Sequence, residues 1–322
     1  MNKFISALLI CAVLSGCGQS QPEPKPQSES EKNDISSIKS ARHINIPGTR
    51  LFIIPPPGFN PASAFVGLQK DEYTACQIMD NVGGNFYSNA ATFDRQAFEK
   101  QGAKVFDYKE LKVNGFPGKY IFLQGDPAAK GISLIFGDST FSIMLMFIYP
   151  AANDKTGKEI QAAIKTVYYD KELTVNPFAG ASFTIDDSKS KFRFSKSTGG
   201  LFIYSPGGSK SQLENDSPFI TVMSLPKDQT MNAQSIRDIL VVKLMQYGMQ
   251  EEKRSTNTLT TYNGYSAYET EISGTMKDEK SLIYILVVLK GEKAVVFQAV
   301  FNKDFDSNLA EAKKLCYEIK FK

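Results

Sequence analysis

The chain has 322 residues, 42% of them hydrophobic and 22% charged, with a formal net charge of +3, four cysteines, no tryptophan and one histidine. Near-neutral charge without a cationic cluster argues against a nucleic-acid binder, which needs clustered lysine and arginine to neutralise phosphates. The lone histidine, His43, removes most mechanisms that need one, because a Ser-His-Asp triad or a Cys-His pair would have to use it and a multi-histidine zinc site needs more than one.

Residues 1–16 read as a cleavable secretion signal: Lys3 is the positive start, Phe4 to Val13 the apolar stretch, and small residues precede Cys17. The apolar run is too short for a membrane span, which takes about 20 residues. Leu14-Ser15-Gly16-Cys17 closely resembles the lipobox of bacterial lipoproteins. That resemblance implies that Cys17 becomes the first residue and carries diacylglycerol and usually an amide-linked acyl chain. Two or more chains anchor firmly where one holds only marginally. Gly18 stands where inner-membrane retention is associated with aspartate, which favours the outer membrane in a host that has one. From Cys17 to about residue 45 a Pro-, Ser- and Glu-rich stretch with Pro22, Pro24 and Pro26 offers too little apolar surface to offset its ordering entropy, and is expected to be a disordered spacer. His43 at its edge is expected to face solvent.

The chain beyond the spacer exceeds the usual size of one core and divides into two α+β domains, 46–172 and 173–322, read as tandem repeats. In the first, a polar start at Ser88-Asn89 leads into Phe93, Ala97 and Phe98 and stops at Gly102; LKVNGFPGKYIFL then begins at Leu111. In the second, Asn232 leads into Ile236, Ile239, Leu240 and Leu244 and stops at Gly248; LTTYNGYSAYETEI then begins at Leu259. Both read as capped helix, glycine stop, strand, Asn-Gly hairpin and strand, with Asn114-Gly115 and Asn263-Gly264 at the turns. Next come two apolar strands around GDST in the first repeat and around KGEK in the second, then a closing helix, Ile160 to Tyr168 and Leu309 to Ile319. The expected architecture is an antiparallel sheet in each repeat, covered by helices.

This order, with LFIIPPPGF near the start, the Gly67-Leu68 step, the helix, the Asn-Gly hairpin and two long strands, resembles the PsbP-like fold, which includes DcrB-type bacterial envelope lipoproteins. The resemblance implies a PsbP-like sandwich in each half. The start of the second half, KFRFSKSTGGLFIYSPGG, aligns in more than one way.

Candidates for chemistry are few. No nucleophile elbow, phosphate loop, dinucleotide fingerprint or zinc-protease helix occurs. Asp186-Asp187 and Glu251-Glu252 are adjacent acids beside cations and read as solvated loop charges. Cys76 and Cys316 read either as a disulfide or, more plainly, as two buried small apolar side chains. Tyr262, Tyr265 and Tyr268 suggest an aromatic ligand platform, with packing as the simpler account. Pro55-Pro56-Pro57-Gly58-Phe59 reads as a rigid turn.

The reading is therefore a membrane-tethered envelope lipoprotein, not an enzyme, that serves as a binding or accessory module for another envelope component. Cys17 is its lipid-attachment site, its partners are the membrane and an envelope protein rather than nucleic acid, and no catalytic, metal or cofactor residues are assigned. The alternatives are a carrier of a small apolar or lipid ligand and a cofactor-free hydrolase using paired carboxylates.

Overall fold

The computed structural model describes residues 34–198, 200–208, 218–226, 231–262, 264–276 and 278–322. The signal segment, Cys17, the spacer before Asp34 and Asn263 lie outside them. The chain divides into two compact units, the second made of Ala181–Lys322 together with Ser63–Phe65.

In chain order the first unit comprises β1 (Ile44–Asn45), β2 (Leu51–Ile53), β3 (Asn60–Pro61), β4 (Gly67–Asp71), β5 (Thr74–Val82), α1 (Phe86–Asn89), α2 (Arg95–Lys100), β6 (Lys104–Val113), β7 (Phe116–Asp126), β8 (Ala129–Gly137), β9 (Phe141–Pro150), α3 (Asp154–Ile164) and β10 (Tyr168–Tyr169). The second has β11 (Phe183–Ile185), β12 (Phe192–Thr198), β13 (Leu201–Pro206), β14 (Phe219–Pro226), α4 (Ala233–Gln246), β15 (Met249–Tyr262), β16 (Tyr265–Met276), β17 (Glu279–Lys290), β18 (Lys293–Phe301), α5 (Phe305–Tyr317) and β19 (Ile319–Phe321). The large sheets are antiparallel and run in the orders β3-β4-β5-β9-β8-β7-β6 and β12-β13-β14-β18-β17-β16-β15. Strand for strand these are the same path. In each unit the chain after the closing helix pairs antiparallel with a strand near the unit's start, β10 with β2 and β19 with β11.

The turns obey local chemistry. Asn114 and Gly115 both take positive φ, 47° and 88°, the backbone that closes a two-residue hairpin between β6 and β7. Asn232 caps α4 reciprocally with Ser235, and Gly248, at φ 94°, lies just beyond its end.

The expectation of helix-covered α+β sandwiches is overturned. Of the described residues 50% are strand and 20% helix. The segment read as one helix from Ser88 to Gly102 splits into α1, of 4 residues, and α2, of 6, because Ala91 to Phe93 turn between them and Asp94 starts a new cap. Phe93 then meets Phe98 edge-on across the break, with ring centroids 5.4 Å apart. On β9 the odd residues Phe141 to Tyr149 are buried, whereas Met144, Met146 and Ile148 stay half-exposed. The buried face is closed by a mixed cover: α3 with Ile160 and Ile164, the small sheet β1-β2-β10 with Leu51, Ile53 and Tyr169, and Ile35. α3 approaches so closely that a Cβ at Gly157 would run into the Tyr149 hydroxyl.

A second difference concerns the spacer. Residues 34–43, read as its disordered end, lie along the first unit. The Ile35 N–H donates to Lys112 O at 2.8 Å and the Asn114 N–H to Ile35 O at 2.8 Å, so Ile35 forms a parallel bridge with Val113 at the outer edge of β6. Its side chain is 6% exposed and belongs to the core.

Candidate functional site

Two buried polar clusters and one sheet edge carry the chemistry of the described residues. In the first unit Asp80 shares the parity of Cys76 and Ile78 on β5 and so points into the core. It accepts the Arg50 N–H at 2.8 Å and the Tyr169 hydroxyl at 2.9 Å. Burial pushes its carboxyl up, against the opposing pull of the Arg50 amide, the Tyr169 hydroxyl and the Arg50 charge. Tyr169 stacks on Phe141 with centroids 4.4 Å apart and 6° between planes. Asp80 thus clasps the small sheet onto the large one, and its capacity is taken up in doing so.

The second cluster joins β16 and β17 to α5. Glu269 is 7% exposed and accepts from the Tyr284 hydroxyl at 3.0 Å and from Lys313 Nζ at 3.2 Å. Lys313 also reaches Glu271 at 2.7 Å. Burial pulls the Lys313 ammonium down, but the bonds to Glu271 and Glu269 outweigh it and its pKa is net raised. Cys316 lies in the same interior, and burial pushes its thiol well up, as it does for Cys76. Both cysteines are free and buried, in the protonated form that is a poor nucleophile.

The other sequence candidates do not converge. Asp186 accepts the Ser188 N–H and Asp187 the Phe194 N–H, so the pair shapes a turn. Glu251 pairs with Arg254, and Glu252 is the extra residue of a bulge in β15. Tyr262 meets Tyr317 of α5, whereas Tyr268 bonds Arg237 of α4; the three tyrosines make no common platform. The Phe59 N–H closes onto Pro56 O with Gly58 at φ 83°, a turn. His43 does not face solvent as expected. It is half-buried, its Nδ1 accepts the Ser40 N–H at 3.1 Å, and its Nε2 therefore carries the proton that goes to Thr166 O at 2.8 Å. Among the described residues no group of three His, Cys, Asp or Glu is placed to hold a metal ion, and no helix is long and apolar enough to cross a membrane.

The remaining feature is the outer edge of β6, the last strand of its sheet. At its C-terminal end the edge is filled by Asp34 to Ser37. Asp34 Oδ1 accepts the Lys112 N–H at 2.8 Å, Ile35 supplies the bridge, the Ser37 N–H donates to Asn114 Oδ1 at 2.8 Å, and Ser37 Oγ donates to Thr166 O at 3.0 Å. At its other end a bulge between Val105 and Asp107 turns Phe106 outward, 38% exposed, against Phe122 at 4.8 Å. Lys104 and Lys130 lie over the Phe106 ring at 5.1 and 5.9 Å. An edge with main-chain groups, an apolar socket and an aromatic rim can hold an extended segment by strand addition. Sequence reading missed this edge. The only trace was Ile35 beside an aspartate, one of two isoleucines in a polar run.

No protein-family model matches the chain, and no curated protein does. Solved structures similar to it include PsbP of the cyanobacterium Synechocystis sp. PCC 6803, at 12% identity and TM-score 0.29, covering 48% of this chain and 100% of that one. The immunity protein TplEi of the type VI secretion system of Pseudomonas aeruginosa is similar at 13% identity and TM-score 0.30, covering 87% and 97%. The Tle4–Tli4 complex gives 11% identity and TM-score 0.31, covering 88% and 99%. Likenesses at these scores carry no weight for activity or partner.

Proposed function

We propose that this chain is an envelope lipoprotein held to a membrane through lipid on Cys17, the outer membrane where the host has one, and that its folded units act as a non-catalytic binding module for another envelope component. The observation that supports the non-catalytic reading is that Asp80, Glu269 and Lys313 are taken up in bonds that hold elements together. Asp80 holds two elements of the first unit together, Glu269 and Lys313 hold a helix to a sheet in the second, and both buried thiols are kept protonated. The observation that supports binding is the β6 edge, which already holds an extended segment. The membrane address rests on Leu14-Ser15-Gly16-Cys17 and its resemblance to a lipobox.

The test is in-cell crosslinking of the intact chain beside its Cys17→Ser form, with labelled fatty acid supplied. The expected result is label on the wild type alone, together with an abundant crosslinked envelope protein that is lost with Cys17. Label retained by Cys17→Ser would overturn the address. Turnover of a small substrate that disappears on substituting an acidic residue would overturn the non-catalytic reading.

A further inference from the structure

The edge of β6 is filled by four residues held by one core side chain, Ile35, and a few hydrogen bonds. Only Ile35 forms a ladder bridge; Asp34 holds one amide, Ser37 holds Asn114 and Thr166 and lies 3.4 Å from His43 Nε2, and just beyond the four Lys39 Nζ sits 3.6 Å from the centre of the Phe52 ring. Residues 38–42 are all exposed, Ile38 at 90%, and the last residue before β1 is the half-buried His43 on Thr166 O. Such a segment can leave without disturbing the seven-stranded sheet, because the sheet's own ladders do not pass through it. Its departure would expose three things in one place: the Lys112 N–H and O with the Asn114 N–H, the core socket of Ile35, and the Asn114 carboxamide oxygen. These match an extended segment with an acid, then a β-branched residue, then a serine two positions further on.

We propose that the β6 edge is an exchangeable strand-addition site and that its occupant in trans is the strap of a second copy of this chain, residues Asp34–Ser37, added parallel to β6. The argument for that occupant is that those four residues are seen to fit, bond by bond. The site selects by its chemistry: an aspartate for an edge amide, an apolar β-branched side chain for the socket, and a serine hydroxyl for the Thr166 carbonyl, with the same residue's main-chain N–H on the turn asparagine. Exchange keeps each of these contacts, which is what makes trading an identical segment a low-cost route to a dimer. The docked strap competes in cis and lowers the apparent affinity for any incoming one by the fraction of open edge. This deepens the binding-module reading and is independent of lipid on Cys17.

The experiment uses the full chain carrying Ile35→Asp, whose own strap cannot enter the socket, and a labelled synthetic peptide of residues 33–39 as probe. The peptide is expected to bind the variant at least roughly tenfold more tightly than it binds the wild type, in which the cis strap competes. A peptide with the same Ile35→Asp change is expected not to bind. Tagged Ile35→Asp chain is expected to capture untagged wild-type chain, but not untagged Ile35→Asp. If Ile35→Asp does not melt cooperatively, Ile35→Ala with the same probes reads the same comparison. Equal peptide affinity for wild type and variant, or binding to neither while the sheet is intact, overturns the site. Peptide binding without capture of the wild-type chain overturns the second copy as occupant. Neither result bears on fatty-acid labelling at Cys17.

Discussion

The Tyr169 hydroxyl donates to Asp80 Oδ1 at 2.9 Å, tying the last strand of the small sheet to a carboxylate in the core of the large one. Asp80 has a raised pKa because burial outweighs the bonds that favour its charge, so the folded chain holds its proton at a pH where the unfolded chain, near 3.8, has lost it. Wild type is therefore expected to gain stability relative to Asp80→Asn as pH falls from above the folded value to below 3.8, with no such gain near neutrality. Urea melts of both chains across this range read the difference, and a constant difference would refute it. Asp80→Ala leaves the Arg50 amide and the Tyr169 hydroxyl unpaired and is expected to cost about 1–3 kcal/mol at neutral pH.

Asp138 has the opposite sign. Burial pushes it up, but hydrogen bonds from Lys171 and from the Thr140 hydroxyl and amide outweigh that and hold it at about 2. Its contribution is present above the unfolded value of 3.8 and is lost as pH falls through about 2. In Lys171→Ala the carboxyl midpoint, followed by NMR, is expected to rise from about 2, with Thr140 still donating from both its hydroxyl and its amide at 2.7 Å. An unchanged midpoint would show that Lys171 has no hold on it.

Lys313 serves two carboxylates at once, and Glu269 is the more deeply buried of them. Lys313→Met is expected to destabilise the second unit by about 1–3 kcal/mol, because Glu269 keeps only the Tyr284 hydroxyl and a long contact from Asn257. Lys313→Met with Glu269→Gln is expected to recover part of that loss. Thermal unfolding of the single and double variants measures the coupling.

The Tyr204 hydroxyl is buried and has no hydrogen-bond partner among the described residues. Tyr204→Phe removes a desolvated donor while keeping the ring against Phe194, 5.9 Å away. It is expected to raise stability by up to about 1 kcal/mol, seen as a higher Tm. A lower Tm would mean that the hydroxyl is bonded after all.

Much of the fold was legible where one residue type answers one backbone need. Asn114-Gly115, the Asn232 cap, the Gly248 stop and the polar turn between the two apolar strands each stand where the residues place them, because their φ angles or orphan amides admit few alternatives. The helix read through Phe93, Ala97 and Phe98 failed because a turn between two short helices satisfies the same spacing and still brings Phe93 to Phe98. Asp80 was readable in principle, being a charge in line with Cys76 and Ile78. Glu269 and Lys313 were not, since they meet only when α5 folds back onto β16. Ile35 left no periodic trace because a single parallel bridge has no period, and His43 took its place from the Ser40 turn beside it.

The bridge between Ile35 and Val113 carries the interior of the first unit back ahead of its first regular strand. A shortened protein cut just ahead of the first regular strand at Ile44 would look tidy on a strand map. It would lack one side chain of its interior and the two main-chain bonds beside it. Expression boundaries, grafts onto other anchors and protease-trimmed forms of this protein should all keep Asp34 to Ser37, or supply them separately, if the sheet edge is to be closed.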